Sequence, residues 1–217
     1  MRSLYLCGCR RLRALSLSHA SLAEVHISWC SQLRSVDLTC GQLGSLYAYG
    51  CLRLAEPRLA CPSLRLLEVQ KCKALTDAEL PSLTQASAQL AVLNLTDCQL
   101  LRRPVIESER LRTLHLYNCL QLLGVTVRCP NLELLNLTYC LNLVQLSLSC
   151  EQLRTLLCAG CKQLCDESVL AAATSSAYLR SFDLKGCSQL AAETLTEVER
   201  LVSPAPSAGP SSEPNKG

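Results

Sequence analysis

Phe, Trp and Met are scarce in this chain: one of each occurs in 217 residues. The core therefore cannot rest on the aromatic side chains that dominate many domain interiors. No apolar run is long enough to span a bilayer, and the N-terminus MRSLYLCGCRRLR lacks the apolar segment of a signal peptide. Charge of one sign is also scarce. A net charge of +3 with pI near 8.1 gives no reason to expect nucleic acid or a membrane surface as partner. No Gly-rich phosphate loop, no H-E-x-x-H and no Ser-centred elbow is present, so no cofactor and no enzymatic activity are expected.

What the chain does have is Leu and Cys in a fixed pattern. Leu111-Arg112-Thr113-Leu114-His115-Leu116-Tyr117-Asn118-Cys119 has the spacing L-x-x-L-x-L-x-x-C, and copies of it run along the sequence. Aligned on the second residue of L-x-L, the copies fall at Leu6, Ile27, Ala48, Val69, Leu95, Leu116, Leu137, Cys158 and Leu184, which defines nine units. Spacings are 21 residues, except for 26 between Val69 and Leu95 and between Cys158 and Leu184. The first four units map onto the next four with a shift of 89, as an internal duplication would. A second pattern, L-x-x-L-x-L-x-C-x-x-L, lies inside each 21-residue unit and predicts a second extended side, with Gly41, Pro62 or Pro130 near the corner. In the 26-residue units that side reads as a helix. Thr76-Asp77-Ala78-Glu79 has capping-box spacing and Asp166 is the expected cap of the second helix, so helices are predicted over about 76–89, 166–178 and 191–202.

Sixteen Cys would suit disulfides or zinc in other contexts. Nine of them (Cys9, Cys30, Cys51, Cys72, Cys98, Cys119, Cys140, Cys161 and Cys187) close the first pattern, and Cys40, Cys61, Cys129 and Cys150 hold a fixed slot in the second. A residue that returns once per unit fills a core slot, and Cys does so as a small buried hydrophobe. Cys158-x-x-Cys161-x-x-x-Cys165 has metal-like spacing only because two of its members belong to these columns, so no metal site is expected. Reduced Cys columns imply a reducing compartment, cytoplasmic or nuclear.

These motifs resemble the cysteine-containing class of leucine-rich repeats (LRRs) found in F-box/LRR proteins. CKALTDAELPSL…LAVLNLTDC and CKQLCDESVLAAA…LRSFDLKGC both follow its form. The mixture with short L-x-L-x-C-P-x-L units is similar to the LRR region of the plant F-box/LRR-repeat protein 15 family. The resemblance covers about residues 1–202 and implies an α/β repeat solenoid: a right-handed superhelix with a concave parallel sheet of nine strands and a convex side of short strands with a few helices. It also implies a substrate-recognition role in a Skp1–cullin–F-box (SCF) ubiquitin ligase. Repeats occupy the chain from residue 1 and no F-box is among them, so Skp1 and cullin are expected as partners only through an F-box upstream. The alternative is a stand-alone LRR scaffold or inhibitor with no ligase role. No N-terminal cap is visible, which reads as a fragment, an incomplete gene product or a piece that docks on something upstream. The Pro/Ser-rich segment 203–217 is expected to be a disordered tail.

Function is expected on the outward slots of the L-x-x-L-x-L-x-x-C strands, because the aromatics avoid the Leu positions and gather there. One group is Tyr5, Glu24, His26, Trp29, Tyr47, Tyr49 and Glu68; a second is Asn94, His115, Tyr117, Asn118, Asn136 and Tyr139. Tyr, Trp and His on a continuous sheet face are residue types suited to the centre of a protein interface, so a protein partner is expected there.

Overall fold

Each L-x-L motif begins in a three-residue strand and ends one residue beyond it, with both apolar side chains inward, and each unit adds one such strand to a common sheet. The computed structural model describes residues 2–202, and the predicted tail 203–217 lies outside the described residues. In chain order the strands are β1 (Ser3–Tyr5), β2 (Ala14–Ser18), β3 (Glu24–His26), β4 (Ser35–Thr39), β5 (Ser45–Tyr47), β6 (Glu56–Ala60) and β7 (Leu66–Glu68). After the helix α1 (Leu80–Gln85) come β8 (Val92–Asn94), β9 (Val105–Glu107), β10 (Thr113–His115), β11 (Gly124–Arg128), β12 (Leu134–Asn136), β13 (Gln145–Ser149) and β14 (Thr155–Leu157). The chain closes with α2 (Asp166–Ala173), β15 (Ser181–Asp183) and α3 (Ala192–Val202).

Nine strands form one parallel sheet in the order β1-β3-β5-β7-β8-β10-β12-β14-β15, each in register with its equivalent one unit away. The opposite side carries two three-stranded parallel sheets, β2-β4-β6 and β9-β11-β13. Helix α1 packs between β6 and β9, while α2 packs on β13 and carries α3 on its other flank. This is the LRR-like α/β solenoid expected from the repeat. The two spacings follow from geometry: a strand advances ~3.3 Å per residue and a helix 1.5 Å, so the same arc needs more residues when it is helical.

The interior is almost entirely Leu, Val, Ile and Cys. Val25, Leu46, Leu67, Leu93, Leu114, Leu135 and Leu156 form one buried column and Ile27, Ala48, Val69, Leu95, Leu116, Leu137 and Cys158 the next. The Cys column has a bonding reason beyond volume. From Cys30 onward each thiol donates to the carbonyl of the L-x-L residue one unit earlier: Cys30 to Leu6 at 3.1 Å, Cys51 to Ile27 at 3.2 Å, Cys119 to Leu95 at 3.3 Å and Cys140 to Leu116 at 3.0 Å. Cys161, at 3.1 Å from the Leu137 carbonyl, belongs to the same series, so the metal-like spacing around it is used for stacking. Cys61 and Cys150 repeat the arrangement on the second side, to Leu38 and Val127 at 3.5 and 3.6 Å. All sixteen Cys are free thiols; Cys7 and Cys9 are exposed and Cys165 half-buried.

The first two helices are shorter than the sequence suggests, while α3 spans nearly all of the predicted 191–202. Thr76 does form the capping box with Glu79, but the first turn after it (Asp77–Glu79) is 3-10, and α1 ends at Gln85. Buried Ser87 then donates to the Pro62 carbonyl at 2.8 Å, and its equivalent Ser176 donates to the Glu151 carbonyl at 2.6 Å beyond α2. Each serine ties the chain back to the preceding unit before a further helical turn can form. Asp166 is not the cap of α2: Cys165 holds that position without a side-chain bond, and Asp166 lies in the first turn. Its carboxylate accepts from the Ala191 N–H at 3.0 Å, as Asp77, 89 residues earlier, accepts from Arg102 and Arg103 at 3.0 and 2.8 Å. In both blocks the acid links a helix start to the following unit. At the corners, Gly41 does not adopt a positive φ, so the turn there uses no glycine freedom.

Candidate functional site

Beyond the strand-start column that holds Ser3 and Glu24, the outward face of the nine-stranded sheet is built from three columns. The middle residue of each L-x-L motif gives Tyr5, His26, Tyr47, Glu68, Asn94, His115, Asn136, Leu157 and Asp183 in consecutive strands. Two residues later comes a turn position (Ser28, Tyr49, Gln70, Thr96, Tyr117, Thr138), and then the residue just before the Cys. That last residue is left-handed in every unit: Gly8, Trp29, Gly50, Lys71, Asp97, Asn118, Tyr139, Gly160 and Gly186 have φ between 56° and 77°. Each is the third residue of a turn closed by the Cys N–H, as in Cys30 to the Ile27 carbonyl at 3.3 Å, and its own N–H bonds the next unit, as in Trp29 to Tyr49 at 2.6 Å. The sheet's hydrogen bonding thus continues through the turns.

This corrects part of the expected placement. Only Tyr5, Glu24, His26, Tyr47, Glu68, Asn94, His115 and Asn136 lie on strands; Tyr49, Tyr117, Trp29, Asn118 and Tyr139 lie in the turns beyond them. Asn94 and Asn136 also have a structural task. Their carbonyl oxygens accept from the Thr96 and Thr138 N–H at 3.1 and 3.0 Å, and Asp183 does the same for Lys185 at 3.0 Å, which closes an Asx turn at the end of each strand. Asn118 donates to Asp97 and its carbonyl accepts from Gln99 at 2.9 Å, so it too is held within the face.

The rings, in contrast, contact one another. His26 lies between Tyr5 and Tyr47, with centroids 4.4 Å away on each side and planes 14° and 8° from parallel. Glu24 is 3.5 Å from His26 Nε2 and accepts from the Ser3 hydroxyl at 3.3 Å. Alongside, Trp29 meets Tyr49 edge to face at 4.6 Å, and Lys71 Nζ lies 5.4 Å from the Tyr49 centroid. The neighbouring Tyr49 raises the basicity of this ammonium. Lys71 is a site residue that the sequence reading missed; its position just before Cys72 was the available sign. Glu68 accepts from Asn94 at 3.3 Å, so the two predicted groups are one continuous strip. Farther along, Tyr117 and Tyr139 meet edge to face at 5.7 Å. His115 sits half-buried between Asn94 and Asn136; burial depresses its basicity, with Glu68 opposing. Four strand steps of ~4.8 Å separate it from His26, so the two imidazoles serve different parts of the face.

Tyr5, Trp29 and Tyr139 are 66%, 53% and 50% exposed, large values for rings held by neighbours. Trp29 and Tyr139 each cover a glycine of the following unit: a Cβ on Gly50 would stand 2.7 Å from the Trp29 ring, and one on Gly160 2.7 Å from Tyr139. Gly50→Ala is therefore expected to cost more than the ~1–2 kcal/mol of a left-handed non-glycine residue, because Trp29 must also move. Gly8→Ala, with nothing within 4 Å of its Cβ, should show the backbone cost alone. Denaturant titration of the two variants measures the difference, and Trp29 fluorescence should change only in the first.

The strip brings rings, amides and carboxylates together on one face. Its chemistry is that of a rigid surface with aromatic faces and hydrogen-bonding edges. By fold and site the chain is an LRR-like solenoid with an exposed aromatic face. No protein-family model matches it, and no curated protein matches it.

Proposed function

We propose that the chain is a protein-interaction module that binds a partner protein across the aromatic strip, acting as the substrate-recognition LRR part of an SCF-type ubiquitin ligase. The observation that carries the binding reading is the cluster Tyr5, His26, Tyr47, Trp29 and Tyr49, whose rings are fixed by mutual contact while Tyr5 and Trp29 stay exposed and the other three are half-buried. Ordered rings lose little side-chain freedom on binding, and Tyr and Trp are the residues that most often dominate interface energies. The ligase part rests on the repeat resemblance and requires an F-box, which is not among these 217 residues.

Trp29→Gly with Tyr49→Ala removes the centre of the cluster. Glycine is chosen at position 29 because its φ of 64° then carries no strain. Affinity capture with mass spectrometry should recover a partner with the wild-type chain and about tenfold less or lower with the double variant, at unchanged circular dichroism. Equal recovery would move the site elsewhere. Skp1 and cullin should appear in the capture only when the chain is joined to an F-box.

A further inference from the structure

A second, chemically different site lies at the opposite end of the same strands. The residues just before β7, β8, β10 and β12 are Arg65, Ala91, Arg112 and Glu133, stacked through backbone bonds from Ala91 to Arg65 at 2.9 Å, Arg112 to Ala91 at 2.8 Å and Glu133 to Arg112 at 2.8 Å. Two residues earlier in each unit a parallel column holds Gln89, Arg110 and Asn131. Buried Leu90, Leu111 and Leu132 separate the columns and fix both. Ala91 is small and has an arginine on each side. The result is a hollow of about 410 Å³ lined by Arg65, Gln89, Ala91, Arg110, Arg112 and Asn131.

All five polar side chains around it carry N–H donors, and three are guanidinium groups. Arg112 pairs with Glu133 on its far side, and Asn131 donates to the Glu109 carbonyl at 2.7 Å. Among the described residues, Arg65 and Arg110 have no acid within ion-pair distance. Like charges gathered around one space repel, and an anion seated between them turns that repulsion into attraction.

We infer that this hollow binds a phosphoryl dianion. Its donors come from three consecutive units: Arg65 from one, Gln89 from the next, and Arg110 with Arg112 from the one after. A tetrahedral group with three terminal oxygens can use all three, whereas a planar carboxylate is satisfied by one guanidinium fork. The dianion belongs to a phosphorylated side chain of a bound protein. That clause rests on the proposed interaction role: Ala91 is three residues, ~10 Å of extended chain, before Asn94 on the exposed strip, within reach of a polypeptide crossing it.

Titration of inorganic phosphate at constant ionic strength, followed by amide NMR of the whole chain, tests the site itself. The Ala91 and Arg112 amides are expected to shift saturably, and Arg65→Gln with Arg110→Gln to weaken binding by about tenfold or more while the remaining spectrum stays in place. Non-saturating shifts equal to those with chloride, or an unchanged affinity in the variant, would overturn the assignment. Trp29→Gly with Tyr49→Ala should leave the phosphate titration intact, so loss of the strip and loss of the hollow are distinguishable. For the source, a phosphoserine peptide should compete with phosphate and its serine counterpart should not. Capture by vesicles carrying a phosphomonoester lipid, with no gain from phosphorylating the peptide, would overturn the protein-borne origin.

Discussion

Raising the pH from 9.0 toward about 11 is expected to unfold the protein in one cooperative step. An unfolded thiol titrates near 9.0, but burial pushes Cys51, Cys119 and Cys129 up to about 12 and Cys187 to about 11 in the folded chain. Cys72, Cys98, Cys140 and Cys158 move the same way. Between the two ranges the unfolded chain gives up protons that the folded chain keeps. The stability supplied by protonated thiols is thus complete below 9.0 and falls as the pH rises toward the folded-state values. Each fully buried thiol costs up to about 1.4 kcal/mol per pH unit in that window. Several together exhaust the ~5–15 kcal/mol of a typical domain within one or two units. The same thiols donate to backbone carbonyls, so ionisation also removes a bond from every unit. Far-ultraviolet circular dichroism and thiolate absorbance followed against pH should change together. Gradual thiolate absorbance with unchanged dichroism would show that the column does not act as a unit.

Leu114→Ala should cost about 2–5 kcal/mol, the usual range for a fully buried leucine. Leu114 is 0% exposed and stacks between Leu93 and Leu135 in register, so the cavity opens against both neighbouring units. A solenoid is held by nearest-neighbour interfaces, and an interior unit contributes to two of them. Leu4→Ala, on a half-buried strand with one partner, should cost markedly less. Urea titration of both variants gives the comparison; equal losses would contradict the layered account of stability.

The candidate site was legible in composition and only partly in geometry. Alternation along L-x-L placed Tyr5, His26, Tyr47 and His115 on the outward face, because a strand's side chains alternate whatever follows them. Trp29 and Tyr139 were misplaced onto strands since neither residue type signals a left-handed backbone. The sign lay in their column, where Gly8, Gly50, Asp97, Asn118, Gly160 and Gly186 are types that tolerate positive φ. Asn94 and Asn136 looked available for a partner, and only the fold shows their oxygens already bonded to Thr96 and Thr138.

From the sequence by itself came the number of units, the two spacings and the inward Leu and Cys columns. These are properties of chain period and apolar burial, which local pattern encodes directly. Which rings touch, which asparagines are spent on turns and which arginines gather around Ala91 was decided by tertiary structure. The ring contacts join residues 20 to 22 positions apart, so they depend on how one unit stacks upon the next, while the asparagine oxygens bond only two residues on and needed the folded turn to fix their geometry.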